Sequence, residues 1–282
     1  MRIGTGLPNQ VRNTRSASLP EWARRAEAAG FSSLGTVGRY AYPGVSDTVT
    51  LAAAAAVTSR VELISGIMIG PVWPGPLLAK EIAGIDGISG GRLTVGFGVG
   101  VREDDFVVEG YGPRGRGERF DRDLAHFREV WRGEPVGGLN PAVPEGTRQV
   151  PMLFGGSASA ALNRMAQWGE GYIGGSVPAP MVAPAFDAAR QAWTRAGREG
   201  APRLVALAYY ALGDGESGKR NVHDYYSVTG EFADLVAANV SDTPEKVRAA
   251  IAAFEEIGAD ELILNPATDD IDDLDRLADI VF

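Results

Sequence analysis

An unbroken alternation of strand and helix signals predicts an α/β protein built as a (β/α)8 barrel. Three observations carry that prediction. Eight strand candidates each lead into a helical pattern. The chain has 282 residues, close to the roughly 250 such a barrel occupies. The first strand runs into Pro8-Asn9-Gln10, where a doubly wound dinucleotide fold would carry a G-x-G-x-x-G turn.

The predicted strands are Arg2–Leu7, Ser33–Val37, Val61–Ile69, Arg92–Phe97, Met152–Phe154, Tyr172–Ile173, Arg203–Leu212 and Glu261–Leu264. Between them lie helices with readable ends. Ser18-Leu-Pro-Glu21 has the form of a capping box, Leu19, Trp22, Ala23 and Ala26 make an apolar stripe, and Gly30 marks the stop. A later helix carries Leu77, Leu78, Ile82 and Ile85 and breaks at Ser89-Gly90-Gly91. The strand that follows opens into Gly96, Gly98 and Gly100, residues suited to close backbone approach. Thr243-Pro244-Glu245 starts another helix, with Val247, Ile251 and Phe254 facing inward and Gly258 ending it. The last helix, about Ile271 to Ile280, follows Asp269, Asp270, Asp272 and Asp273, an acidic cluster that reads as helix capping and solvated surface. Two segments exceed a minimal barrel. Gly133–Val150 reads as a surface loop, and Gly213–Val240 as an excursion placed to roof the active-site face. The expected organisation is one barrel domain over 1–282 with a roof segment at 213–240.

Composition narrows the function. The 36 acidic residues outnumber 27 Lys plus Arg, a net charge of -9, which argues against a nucleic-acid or anionic-membrane partner. There is no cysteine, so thiolate chemistry, disulfides and Cys-ligated zinc are excluded. The longest apolar runs, such as Leu51–Val57, fall far short of the ~18–20 residues of a membrane span. Met1 leads straight into strand with no basic leader, so a cytoplasmic protein is expected.

Candidate chemistry clusters at strand ends. Gly155-Gly156-Ser157 lies between a short strand and the helical pattern Ala158–Trp168, a context that leaves backbone donors for an anion. An ordinary strand-end turn is the other reading. Gly174-Gly175-Ser176 ends the next strand and closes the same pocket, with Gly98 and Ile69 added from the fourth and third strands. Of the two histidines, His126 sits mid-helix, whereas His223 lies beside Tyr225 and Tyr226 in the roof segment. His223 and Tyr226 are therefore the catalytic candidates, and Tyr225 a substrate contact. Asn9 and Arg39 lie just beyond the first two strands, as do Arg12 and Arg15. They stand as substrate contacts or as solvated loop residues. Trp73, after the third strand, packs on a planar ring or plugs the barrel mouth. No spacing suits a metal site.

The segment Pro76–Gly100, PLLAKEIAGIDGISGGRLTVGFGVG, resembles the AK-x-x-x-x-D-x-[LI]-SGGR-[LF]-x-x-G-x-G stretch of the bacterial luciferase-like flavin monooxygenase family. The resemblance continues through Leu19–Leu34, Asp47–Ile69, Arg116–Trp131, Val150–Ser157 and Gly258–Leu264. It implies the luciferase-like (β/α)8 TIM barrel and a flavin-dependent oxidoreductase. The leading expectation is a monooxygenase using reduced FMN and dioxygen on a small organic substrate, with a flavin reductase as partner. A deazaflavin (coenzyme F-420) hydride-transfer enzyme and a non-catalytic flavin-binding protein are the alternatives. The resemblance also implies that the GGS turn grips the cofactor phosphate, and that a homodimer forms through helices beside the second and third strands. Two departures bear on chemistry. Gly38-Arg39-Tyr40 stands where the family often has Asp-His, and Val101-Arg102 where it often has Trp, so no catalytic acid is carried over.

Overall fold

The computed structural model describes residues 1–282, and its eight parallel strands close a barrel in chain order. The first half is β1 (Arg2–Gly6), α1 (Leu19–Ala29), β2 (Ser33–Thr36), α2 (Asp47–Val57), β3 (Glu62–Ile69), α3 (Gly75–Ser89), β4 (Leu93–Gly98) and α4 (Arg116–Trp131). The second is β5 (Met152–Phe154), α5 (Ser159–Trp168), β6 (Gly171–Gly175), α6 (Ala179–Arg195), β7 (Arg203–Tyr210), α7 (Gly215–Tyr226), α8 (Glu231–Ala238), α9 (Pro244–Glu256), β8 (Glu261–Pro266) and α10 (Asp272–Val281). Arg2 opposite Glu261 closes the ring between β1 and β8.

The barrel interior is filled by Ile64, Leu153, Ile173, Val205, Leu207 and Ile263, branched side chains from several strands that pack it solid. A larger apolar layer lies between the strands and the outer helices, where Trp22, Phe97, Phe127 and Trp131 are fully buried. A third cluster, including Tyr209, Tyr225, Tyr226 and Val236, sits under α7 and α8. These two helices are the excursion after the seventh strand.

The SGGR turn works at the end of the barrel where the strands begin. Arg92 Nη2 donates to Ala55 O (3.1 Å) and Thr58 O (2.9 Å) at the end of α2, and Nη1 to Val61 O (2.7 Å). It satisfies carbonyls that the helix leaves unpaired. Gly90, at φ 71°, ends α3 in the left-handed region, which a glycine enters without steric penalty.

Three local expectations are corrected. Ser18 is no N-cap acceptor: a 3-10 turn over Ser16–Ser18 runs directly into α1, and its hydroxyl donates to Arg15 O at 2.7 Å. Gly174 and Gly175 end the sixth strand as expected, but as its last paired residues with β7, so the strand runs beyond Tyr172–Ile173. A Cβ on Gly175 would strike the Leu207 backbone, 2.6 Å from its nitrogen, so the two strands approach too closely for a side chain. Within the acidic cluster, Asp270 accepts from Asp272 N (3.1 Å) as a cap does. Asp273 instead is buried and held by Thr268 and Arg276, both at 2.8 Å.

Candidate functional site

The C-terminal ends of β2 to β7 and the inner face of α7 enclose a cavity of about 290 Å³. Its floor is largely backbone. At Gly155 an added Cβ would meet Ile67 Cδ1 and lie 2.7 Å from Ile173 O, and at Gly174 it would lie 2.8 Å from the Tyr172 ring. Side chains are excluded there by the wall behind, so the peptides themselves face the cavity beside Ile67, Ile69 and Leu207. Tyr225, Tyr226 and Phe232 form the roof. The roof is tied down: Tyr225 Oη donates to Gly38 O (3.0 Å), and Tyr226 Oη donates to Ser176 Oγ (3.1 Å) and lies 3.2 Å from Tyr209 Oη. Burial raises the Tyr209 and Tyr225 hydroxyls above their usual range, so both stay protonated at neutral pH.

One end of the cavity is suited to an anion. Gly155-Gly156-Ser157 leads into α5, whose N-cap is Ala158 and has no side-chain acceptor. The first N–H groups of that helix are left without a capping oxygen, and no acidic residue lies in its first turn. Ser157 itself is exposed beside the cavity rather than in its lining.

A second cavity, of about 230 Å³, adjoins the first through Gly38 and Ile69 and is lined by Arg39, Asp47, Met68 and Trp73. Burial pushes the Asp47 carboxyl up to about 7. Its Oδ1 has no partner.

The structure brings together Gly98, Gly155, Gly156, Gly174, Gly175, Ile69, Tyr225 and Tyr226 around one cavity, and Arg39 and Trp73 around its neighbour. It does not bring Asn9 or His223 there. The Asn9 amide is spent on backbone, donating to Val37 O and Val45 O (both 3.0 Å) and accepting from Val37 N (3.1 Å). His223 lies on the outer face of α7, half exposed, with Nε2 3.3 Å from Asp234 of α8. Helical spacing explains this, since Val222, Tyr225 and Tyr226 take the buried face and the residue between them points out. Arg39 is not free either. It donates to Tyr225 O (2.9 Å), pairs with Asp104 and lies 3.6 Å from Asp105. Arg12 pairs with Asp224 at 2.7 Å. His126 is exposed on α4.

The residue that motif reading passed over is Arg102, noted only as a departure from a family tryptophan. It lines the first cavity, its guanidinium carbon lies 5.0 Å from the centroids of both Tyr225 and Tyr226, and its Nε is buried without a partner. A basic residue two positions past a glycine-rich strand end was the available signal. A flat peptide floor, an aromatic roof, a cation and an anion-binding turn make a site for a planar ligand with a charged tail. No nucleophile–base pair lines it.

Residues 1–239 match the luciferase-like monooxygenase family, and the chain belongs to it. It is 32% identical over 172 residues to the uncharacterized protein Rv0953c of Mycobacterium tuberculosis, covering 56% of this chain and 60% of that one. It is 29% identical over 189 residues to Rv0940c of the same organism, covering 55% and 65%. The chain thus spans about 60% of the length of the first of these relatives. The monooxygenase RslO1 from Streptomyces bottropensis superposes with a TM-score of 0.78 at 25% identity, over 99% of this chain and 97% of that one. An F420-dependent secondary alcohol dehydrogenase shares the fold at TM-score 0.82 and 16% identity, over 99% and 98%. So does the oxygenating constituent of 3,6-diketocamphane monooxygenase from Pseudomonas putida, in complex with FMN, at 0.75 and 16%, over 99% and 95%.

Proposed function

We propose that this member of the luciferase-like monooxygenase family is a flavin-dependent monooxygenase using reduced FMN and dioxygen on a small organic substrate. The observation that carries the reading is the cavity, with bare peptide at Gly155 and Gly174 below and Tyr225 and Tyr226 above. A flat ring with an apolar body fits between those surfaces, and a phosphate fits the uncapped start of α5 beyond Gly155-Gly156-Ser157. Once bound, the cofactor supplies the redox chemistry, which the side chains here do not.

The chain's own residues then bind, orient and exclude water. Gly155, Gly156 and Ser157 hold the phosphate, with Gly98, Gly174, Gly175 and Ile69 against the ring. Tyr225, Tyr226 and Phe232 close the cavity from solvent, and Arg39 fixes α7 to the loop after β4 through Tyr225 O and Asp104. Tyr226 is the remaining catalytic candidate, since its hydroxyl can pass a proton along the Tyr209–Tyr226–Ser176 chain. Trp73 lines the neighbouring cavity and bounds the substrate space on that side. A flavin reductase would supply reduced FMN in the cytoplasm. Exposed Val49 on α2, with Leu77 and Ile88 on α3, supports a homodimer through these helices, and light scattering giving only the 29.7 kDa mass would reject it.

The deciding experiment is anaerobic titration with FMN, reduced FMN and F420, followed by exposure to oxygen. Tight binding of reduced FMN with oxygen-dependent turnover of an added substrate is expected. Binding of F420 alone would favour hydride transfer, and flavin binding without turnover a non-catalytic carrier. Binding of none would reject the reading.

A further inference from the structure

Among the residues that line the main cavity, Arg102 is the one with a formal charge. The arginines that flank it at the barrel mouth, Arg39 and Arg12, are committed. Arg39 is held by Asp104, Asp105 and Tyr225 O, and Arg12 by Asp224. None of the carboxylates that follow Arg102 in the chain, Glu103, Asp104 and Asp105, pairs with it. Asp104 faces Arg39, and Asp105 accepts from the backbone nitrogens of Tyr40 (2.9 Å) and Ala41 (2.8 Å). Arg102 is left without a counter-ion and with a buried Nε that no acceptor meets.

Arg39, Arg116 and Arg119 also hold a partnerless buried Nε, but each has other side-chain bonds, whereas partly buried Arg102 has none. Its position is nevertheless well defined. It rests against Tyr225 and Tyr226, 5.0 Å from each ring centroid, and these rings stabilise the cation through their faces. Both rings are themselves fixed, by Gly38 O and Ser176 Oγ. The planar fork is therefore pre-organised on the roof, and its parallel N–H groups match a carboxylate in two-point geometry. The protein carries a net charge of -9, which repels small anions at long range, so a local cation is what an anionic ligand needs here. The cofactor phosphate has its own donors at the start of α5, at the floor end of the cavity.

We propose that Arg102 is a specificity-determining residue that receives the carboxylate of the substrate, and that the substrate class is small aromatic or otherwise planar acids. The tyrosine rings and the apolar walls accommodate the body of such a molecule, and the guanidinium its acid group. The proposal deepens the flavin reading and rests on it for the position of the ring below the substrate.

Benzoate and benzamide, nearly the same shape but differing in charge, test it. Each is titrated into FMN-loaded protein and followed by the change in flavin absorbance, and each is also titrated calorimetrically into cofactor-free protein. Benzoate should bind at least about tenfold tighter than benzamide, as expected for one charge-assisted two-point contact. In Arg102→Met that preference should vanish, while FMN affinity and benzamide affinity stay at the parental values. Arg102→Lys should keep part of it, because the charge remains and the fork is lost. Equal binding of the two probes by the parent protein, or an unchanged preference in Arg102→Met, overturns the proposal. A loss of FMN affinity in Arg102→Met with the preference intact also overturns it, assigning the arginine to the cofactor. Failure of the flavin reading is seen separately, as parent protein that binds no FMN. The calorimetric preference for benzoate then still decides whether Arg102 reads an acid.

Discussion

The two ends of the barrel treat charge in opposite ways. Where the strands begin, Arg203 meets Glu62 at 2.7 Å and Glu261 at 2.6 Å, Arg2 meets the same two carboxylates, and Ser32 and Thr94 fill further oxygens. Glu27 accepts from three backbone nitrogens, Ser59, Arg60 and Val61. Where the strands end, peptides lie bare, Asp47 Oδ1 and Asp105 Oδ2 have no partner, and Arg102 has no counter-ion. One end pairs the charged groups named here within the chain and contributes rigidity. The other leaves them for a ligand, as barrels do at the face that carries chemistry. The SGGR turn belongs to the first kind. The stretch of sequence that most clearly marks the family is a helix-end clamp, and the binding surface begins only six residues after Arg92, at Gly98.

Four substitutions would break or sharpen this contrast. Arg203→Met should have the largest effect. It removes one of the two cations that meet fully buried Glu261, leaving Arg2, and the three charge-assisted bonds lost should cost about 3 kcal/mol. Urea unfolding would register it, and FMN affinity of the remaining folded protein should not move. Gly156→Asp places a carboxylate at the anion turn, on a residue at φ 111°. FMN affinity should fall at least about a hundredfold, in keeping with loss of charge-assisted phosphate contacts, while circular dichroism stays native. If the variant binds FMN like the parent, the phosphate lies elsewhere.

Asp47→Asn tests an unsatisfied group at the binding end. Burial raises the Asp47 pKa to about 7, so the folded protein keeps a proton that the unfolded chain releases near the ordinary aspartate value. Parental stability should therefore fall as pH rises from about 4 to about 7. The asparagine variant should lack that fall and be the more stable of the two at pH 8, the gap closing near pH 4. Unfolding curves that stay parallel across this range would contradict it.

The smallest effect belongs to Glu27→Gln at the opposite end. Despite partial burial, which opposes ionisation, bonds from Val61, Arg60 and Ser59 N–H hold Glu27 at about 2. Its contribution is present above the unfolded value and lost as pH falls from about 4.5 to about 2, some ~1 kcal/mol after allowance for solvent screening. Acid titration of the variant should show a shallower loss than the parent. If the two acid limbs coincide, those three backbone bonds contribute nothing measurable.

Local chemistry was enough for the frame. All eight strands were legible, because β-branched runs bounded by glycine and by helix caps need no distant partner to be recognised. Thr243 caps α9 by accepting from Lys246 N, and Gly30 closes α1 at φ 100°, both as their residue types imply. Ser18 misled because a preceding 3-10 turn removes the free helix start that a capping box requires. The sixth strand was read two residues short at its end because composition alone does not show that Gly174 and Gly175 pair with a neighbour too close for a Cβ.

The site divides along the same line. The sequence by itself determined the closed α/β barrel and the glycine-rich strand ends that form the cavity floor, since both follow from short-range pattern. It also placed an aromatic segment after the seventh strand, over that floor. Only the tertiary structure decided that His223 faces outward while Tyr225 and Tyr226 face in, and that Asn9 is consumed by backbone. It alone decided that Arg39 is paired and Arg102 is not. Arg39 and Arg102 both follow strand ends, and the acids beside Arg102 in the chain would point to the opposite pairing. Asp104 and Asp105 come across the barrel mouth to Arg39, some 65 positions away in the chain, and not to the arginine beside them. Which charges meet depends on distances across the closed mouth, and those exist only once the barrel has closed.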